Sequence, residues 1–162
     1  MNVVVFASRK GGSGKSTLAA HLAAHAQKPS RSVLLIDSDP QGSLSLWHGL
    51  RETDGLQLRT AQRGIADIAK AAKRDGFDWV FIDTAPNMST SVVDAMRAAT
   101  LVVVPCRPAL FDLEAVQETI RFAREACKPY AVVINAAPPR RQENPLRPLD
   151  RNSILWIITT VI

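Results

Sequence analysis

Short runs of β-branched residues, nearly continuous in apolar character, alternate along the chain with stretches whose apolar residues return at helical spacing. The runs at 3–7 (Val-Val-Val-Phe-Ala), 32–37 (Ser-Val-Leu-Leu-Ile-Asp), 78–83 (Asp-Trp-Val-Phe-Ile-Asp), 100–105 and 130–135 lack the polar alternation of a strand with one wet face, so they read as strands covered on both sides. Between them, 15–27 is rich in Ala and Leu, 62–74 repeats Ile65, Ile68, Ala69 and Ala72, and 112–127 repeats Leu113, Val116, Ile120 and Ala123, which predicts three helices. Pro129 marks a stop after the last of these. Strand and helix in alternation define an α/β fold, a mostly parallel sheet with helices on both faces. The Pro- and Arg-rich stretch 136–148 reads as a loop. Beyond it Ile154 to Ile162 reads as a further strand that no helix follows, leaving an apolar edge and C-terminal elements that look incomplete.

A length of 162 residues suits one domain, spanning 1–162. With 46% hydrophobic and 22% charged residues the chain is neither disordered nor fibrous in composition. Twenty Lys and Arg against fifteen Asp and Glu leave a net charge of +5, a modest bias toward polyanionic partners. Two cysteines, Cys106 and Cys127, without a CxxC spacing, read as reduced thiols rather than a disulfide framework. The N-terminus lacks the basic flank and long apolar run of a signal peptide, and the final apolar run is far shorter than a membrane span. A cytoplasmic protein with no membrane partner is the expectation.

Residues 10–17, Lys-Gly-Gly-Ser-Gly-Lys-Ser-Thr, follow the first strand and open the first helix, the setting a phosphate-binding loop requires. Gly11, Gly12 and Gly14 allow the backbone to curl so that N–H groups, those of Ser13 included, point inward at phosphate oxygens, and the helix N-terminus adds its positive end. Lys15 would bridge the β- and γ-phosphates, Ser16 would place its hydroxyl on Mg²⁺, and Thr17 is suited to the α-phosphate. ATP with Mg²⁺ is therefore the expected cofactor. Asp83, at the end of a buried strand, faces the loop across the carboxyl edge and can hold the metal through water. Asp37 and Asp39 end a neighbouring strand; spaced by two, one can support the metal shell while the other lies nearer the γ-phosphate and its water. The plain alternative for each Asp is a turn or N-cap residue.

The ordinary signature would have Gly at position 9, where Arg9 stands, and Lys10 follows it. This variant resembles the deviant Walker A loop of the ParA/MinD ATPase superfamily. Ile36 to Gly42 (Ile-Asp-Ser-Asp-Pro-Gln-Gly) resembles the switch I motif of ParA proteins, and Val80 to Pro86 their Walker B and switch II. Val102 to Pro105 with Phe111 to Ala115 is similar to their next strand and helix entry, and Val133 to Asn135 with Pro138 resembles their adenine-side strand and loop. The resemblance covers about residues 1–140; 147–162 diverges, as a truncated or frameshifted chain would.

The resemblance implies a slow, partner-stimulated ATPase with Lys10, Lys15 and Asp39 in catalytic roles and Asn135 and Pro138 beside the base. It also implies that Lys10 crosses to the phosphates of a second copy in an ATP-dependent homodimer. Among the superfamily's branches, the tail has no basic amphipathic face for a membrane, the cysteines do not suit a shared cluster, and Tyr130 is the only tyrosine. The partition branch remains, which implies nonspecific DNA binding, nucleoid association and a ParB-like centromere-binding partner. Arg140, Arg141, Arg147 and Arg151 form a basic stretch suited to phosphate contacts. Two other readings stay open: a non-catalytic remnant of a ParA protein, and a P-loop ATP-dependent metabolic ligase.

Overall fold

In a computed structural model, which describes residues 1–51, 55–61, 64–137 and 155–157, the apolar runs assemble into one seven-stranded sheet with every pairing parallel. The strands are β1 (Asn2–Phe6), β2 (Val33–Asp37), β3 (Gln57–Thr60), β4 (Trp79–Asp83), β5 (Leu101–Cys106), β6 (Tyr130–Ile134) and β7 (Leu155–Ile157), in the order β3-β2-β4-β1-β5-β6-β7. The helices are α1 (Lys15–Ala26), α2 (Ser43–Gly49), α3 (Ile65–Arg74), α4 (Thr90–Ala98) and α5 (Leu110–Glu125).

Because side chains alternate across a strand, the inner strands supply two separate cores. Val4, Phe6, Leu35, Phe81 and Val103 face α1 and α2, meeting Leu18, Ala19, Ala23 and Leu44. Val5, Leu34, Ile36, Ile82, Val102 and Val104 face the other layer, meeting Ile65 and Ala72 of α3, Val92 and Met96 of α4, and Val116 and Ala123 of α5. Leu34, Ile36 and Ile82 are wholly buried, and each such side chain stabilises the fold by about 1.5–3 kcal/mol. Coverage on both faces is what the continuous apolar runs required.

Three elements lie outside the sequence expectation. Among the described residues strand β3 pairs only with β2, and it reads Gln-Leu-Arg-Thr, too polar to register as a buried run. Helix α2 has seven residues and buries Leu44 alone among them. Helix α4 starts at Ser89, whose Oγ accepts the Val92 N–H at 3.4 Å, and buries Val92, Ala95 and Met96. The helix expected at 112–127 ends at Glu125, and Cys127 takes the left-handed position after it, φ 52°, a place usually held by glycine. Within the strand expected at 154–162, Leu155–Ile157 pairs with β6; the remainder lies outside the described residues, as do most of the loop at 136–148, Pro138, and Arg140, Arg141, Arg147 and Arg151. Among the described residues no helix is long and apolar enough to cross a membrane.

Candidate nucleotide site at the carboxyl edge

Successive strand ends are tied together along the carboxyl edge. The Ala61 N–H donates to the Asp37 carbonyl (2.9 Å), Ser38 N–H to the Asp83 carbonyl (3.0 Å), and the buried Thr84 hydroxyl to the Phe6 carbonyl (2.8 Å). Ala7 N–H donates to the Val103 carbonyl (3.0 Å) and Asn135 N–H to the Cys106 carbonyl (2.7 Å). The sheet thus presents a continuous rim from β3 to β6. The loop 10–14 rises from its middle, where the direction of strand addition reverses around β1, the place where open parallel sheets bind ligands.

The loop's shape follows from its glycines at two positions. Gly14 has φ 100° and is the residue before α1, and a Cβ there would collide with the Asn135 amide nitrogen. Gly12 has φ 70° and lies beneath the Arg107 guanidinium. The α1 N-terminus carries no side-chain cap and no acidic residue in its first turn, so its first N–H groups and positive dipole end are left to the loop.

Three of the expected ligands converge under this loop. The Ser16 hydroxyl donates to Asp83 Oδ2 at 2.5 Å, while Asp83 Oδ1 is buried with no hydrogen-bond partner among the described residues. Burial pushes the Asp83 carboxyl up to about 6, against the opposing pull of the Ser16 hydroxyl and the Lys15 charge, and Asp37 and Asp39 push it further in the same direction. Lys15 is buried and its Nζ donates to the Lys10 carbonyl at 3.1 Å. Desolvation lowers the Lys15 pKa, partly offset by Asp83 and Asp39. A buried carboxylate oxygen without a donor, beside a hydroxyl, suits a hard divalent cation. No cluster of three or more His, Cys, Asp or Glu side chains that could hold a metal occurs among the described residues. Magnesium at Ser16 and Asp83 would therefore rely on few protein ligands, as it does when phosphates supply the others.

Asp37 and Asp83 are direct neighbours in the β2–β4 register, yet the structure treats them differently. Asp37 Oδ2 accepts both the Ser45 N–H (2.9 Å) and the Ser45 hydroxyl (2.8 Å), and Oδ1 accepts the Asp39 N–H (3.3 Å). It anchors the first turn of α2. Asp39 lies past the strand, half-buried, and its Oδ1 accepts the Gln41 N–H (3.0 Å) in a turn. Asp37 and Asp39, expected from their spacing to serve the metal shell and the γ-phosphate side separately, line one pocket beside α2, with Asp37 bonded to Ser45 and Asp39 to the Gln41 N–H.

The remaining expected residues surround the loop. Gly11 is exposed with open space beside it, and Ser13 is buried with an unpartnered hydroxyl among the described residues. Thr17 is exposed on the first turn of α1. Asn135 follows β6; its Nδ2 donates to the Ser13 carbonyl (3.1 Å) and its Oδ1 accepts the Ala136 N–H (2.9 Å), so it braces the loop directly. Lys10 pairs with Asp112 at 2.6 Å, and Arg9 pairs with Glu118, both partners belonging to α5. Sequence reading named Asn135, and Asp112 within a motif, without the loop contacts that each makes, and it missed Glu118 and Arg107.

Residues 4–149 match the CobQ/CobB/MinD/ParA nucleotide-binding domain model, and the chain belongs to that family. It is 37% identical over 123 residues to the Maintenance of carboxysome distribution protein A of Gloeobacter kilaueensis, covering 75% of this chain and 56% of that protein. Over 143 residues it is 29% identical to the chromosome-partitioning ATPase Soj of Thermus thermophilus, covering 70% of this chain and 57% of Soj. The chain thus spans somewhat more than half the length of these curated relatives. Its fold is shared with a plasmid partition protein from Borrelia burgdorferi solved with AMPPNP, at a TM-score of 0.72 and 20% identity, covering 86% of this chain and 76% of that one. The P-loop class inferred from the sequence is the observed one.

Proposed function

We propose that the chain is a ParA-type partition ATPase that binds ATP with Mg²⁺ in the loop 10–17, pairs with a second copy in the ATP state, and binds duplex DNA without sequence preference. The observation that carries this reading is the convergence of Lys15, the Ser16 hydroxyl and the incompletely partnered Asp83 carboxylate beneath an uncapped helix N-terminus. Relatives named for chromosome partitioning and carboxysome distribution support the partition role. In the mechanism, loop N–H groups and Lys15 neutralise the phosphates, and Asn135 holds the loop in its receiving shape. Ser16 and Asp83 would hold Mg²⁺, which when bound screens charge between the β- and γ-phosphates. Asp39, at the switch turn, orients the attacking water, while Asp37, its oxygens held by Ser45 and the Asp39 N–H, supports the metal shell from outside by fixing α2 and the switch turn. Thr17 contacts the α-phosphate, and Asn135 with Pro138 lies beside the base. Lys10 leaves Asp112 and reaches the phosphates of the second copy, supplying the in-trans cation of hydrolysis. A ParB-like centromere-binding protein stimulates turnover, and the ATP-bound pair resides on the nucleoid.

Retention of arbitrary duplex DNA tests the proposal. It should require ATP and Mg²⁺, weaken with salt, vanish with Lys15→Ala, and fail at the pairing step with Lys10→Ala. Equal retention with ATP, ADP and no nucleotide would refute it.

A further inference from the structure

The loop gathers cations, and their partners differ. Arg9 and Lys10 are paired with Glu118 and Asp112 of α5, and Lys15 is held by the Lys10 carbonyl and attracted by Asp83 and Asp39. Arg107 comes from another direction, one residue beyond β5 on the carboxyl rim. Its backbone is fixed on both sides, because the neighbouring Cys106 carbonyl accepts the Asn135 N–H (2.7 Å) and its own carbonyl accepts the Ala109 N–H (2.8 Å). From there the side chain lies against the loop. Nη2 stands 3.1 Å, Cζ 3.7 Å and Nη1 4.0 Å from the position a Cβ on Gly12 would take. A side chain at Gly12 would press on the guanidinium.

Arg107 is exposed, and no carboxylate among the described residues forms an ion pair with it. The loop cations Arg9, Lys10 and Lys15 each have an acidic neighbour, whereas the Arg107 guanidinium, set against the loop backbone, keeps its charge open to an added anion. Its fixed fork of donors matches phosphate oxygens. On the reading that gives the α-phosphate to Thr17 on the first turn of α1, Gly12, earlier in the loop, is left for the phosphates further out.

We propose that Arg107 is a ligand of the terminal phosphate of the nucleotide bound in its own chain, so that it distinguishes triphosphate from diphosphate. The proposal rests on the reading of the loop as a nucleotide site and adds a residue that belongs to neither the loop nor the switch segments. Its position between β5 and α5 would connect the triphosphate to the start of α5, the helix that holds Arg9 and Lys10.

Calorimetric titration of the full chain with Mg²⁺–AMPPNP and with Mg²⁺–ADP tests this directly. Arg107→Ala should weaken AMPPNP about tenfold to a hundredfold and ADP less than about threefold, the scale of one charge-assisted phosphate contact. Arg107→Lys should recover part of the loss, since it restores charge without the fork. Unchanged circular dichroism and melting of the free variants would separate lost contact from lost folding. Equal losses for both nucleotides, or no loss for either, would overturn the proposal. So would a loss seen only at protein concentrations where copies associate, because the guanidinium would then serve the interface. A wild-type chain that binds neither nucleotide overturns the site reading itself, whereas wild-type binding with an indifferent Arg107→Ala overturns this assignment alone.

Discussion

Asp37 and Asp83 stand side by side at the ends of β2 and β4, equally hidden from solvent, and differ in how their oxygens are occupied. Both Asp37 oxygens accept hydrogen bonds, from Ser45 and from the Asp39 N–H, whereas Asp83 has one oxygen on Ser16 and one with no donor among the described residues. The first carboxylate is satisfied by the fold and the second is raised to about 6 by its burial. Burial alone therefore does not mark a ligand-binding acid; burial with an unanswered lone pair does. One position stabilises the free protein, and the other costs it stability that a cation can return.

The largest effect that would break this contrast concerns metal. Asp83→Asn should reduce the Mg²⁺-dependent part of nucleotide binding by about tenfold to a hundredfold, measured by titration with and without Mg²⁺. An Asn variant that retains full Mg²⁺ dependence would make the two acids equivalent.

The same substitution should stabilise the nucleotide-free chain by about 1–3 kcal/mol in urea melts at pH 7.5, because a desolvated charge has been removed. The sign follows from protonation. The folded carboxyl keeps its proton to about 6 while the unfolded one loses it near 3.8. Through that interval rising pH therefore lowers wild-type stability, and above it the cost is complete. The advantage of Asp83→Asn should be absent below pH 4, grow between 4 and 6, and then level off. An advantage independent of pH would mean that packing, not charge, separates the proteins.

Asp37→Ala should move stability the other way, by a loss of about 1–3 kcal/mol, since the Ser45 N–H and hydroxyl lose their acceptor. Asp37→Asn keeps an oxygen for Ser45 and should cost less than about 1 kcal/mol. A stabilising Asp37→Ala would place Asp37 with Asp83. The smallest effect expected is in Asn135→Ala, which frees the Ser13 carbonyl at a partly buried site and should cost about 0.5–1.5 kcal/mol, read as a shift in the urea midpoint.

How far these positions could be seen in the sequence depended on whether their signal was local. The buried strands and the loop were legible because double-sided burial leaves continuous apolar runs, and phosphate binding requires its glycines, lysine and hydroxyl in immediate succession. Asp83 and Asp37 were legible as strand-end carboxylates, but their different environments were not. Ser45, which satisfies Asp37, lies on a seven-residue helix with too few turns to show periodicity. Strand β3 escaped because an edge strand with a single paired neighbour tolerates Gln57 and Arg59. The Lys10–Asp112, Asn135–Ser13 and Arg107–Gly12 contacts join segments that meet only after the sheet has ordered its strands.

The crowding of the Asn135 amide against Gly14 makes these two positions interdependent. A methyl group introduced at 14 has no room while the longer amide remains, and shortening residue 135 alone cannot relieve the left-handed backbone at 14. Libraries that randomise position 14 should therefore return almost nothing but glycine, whether or not residue 135 is shortened.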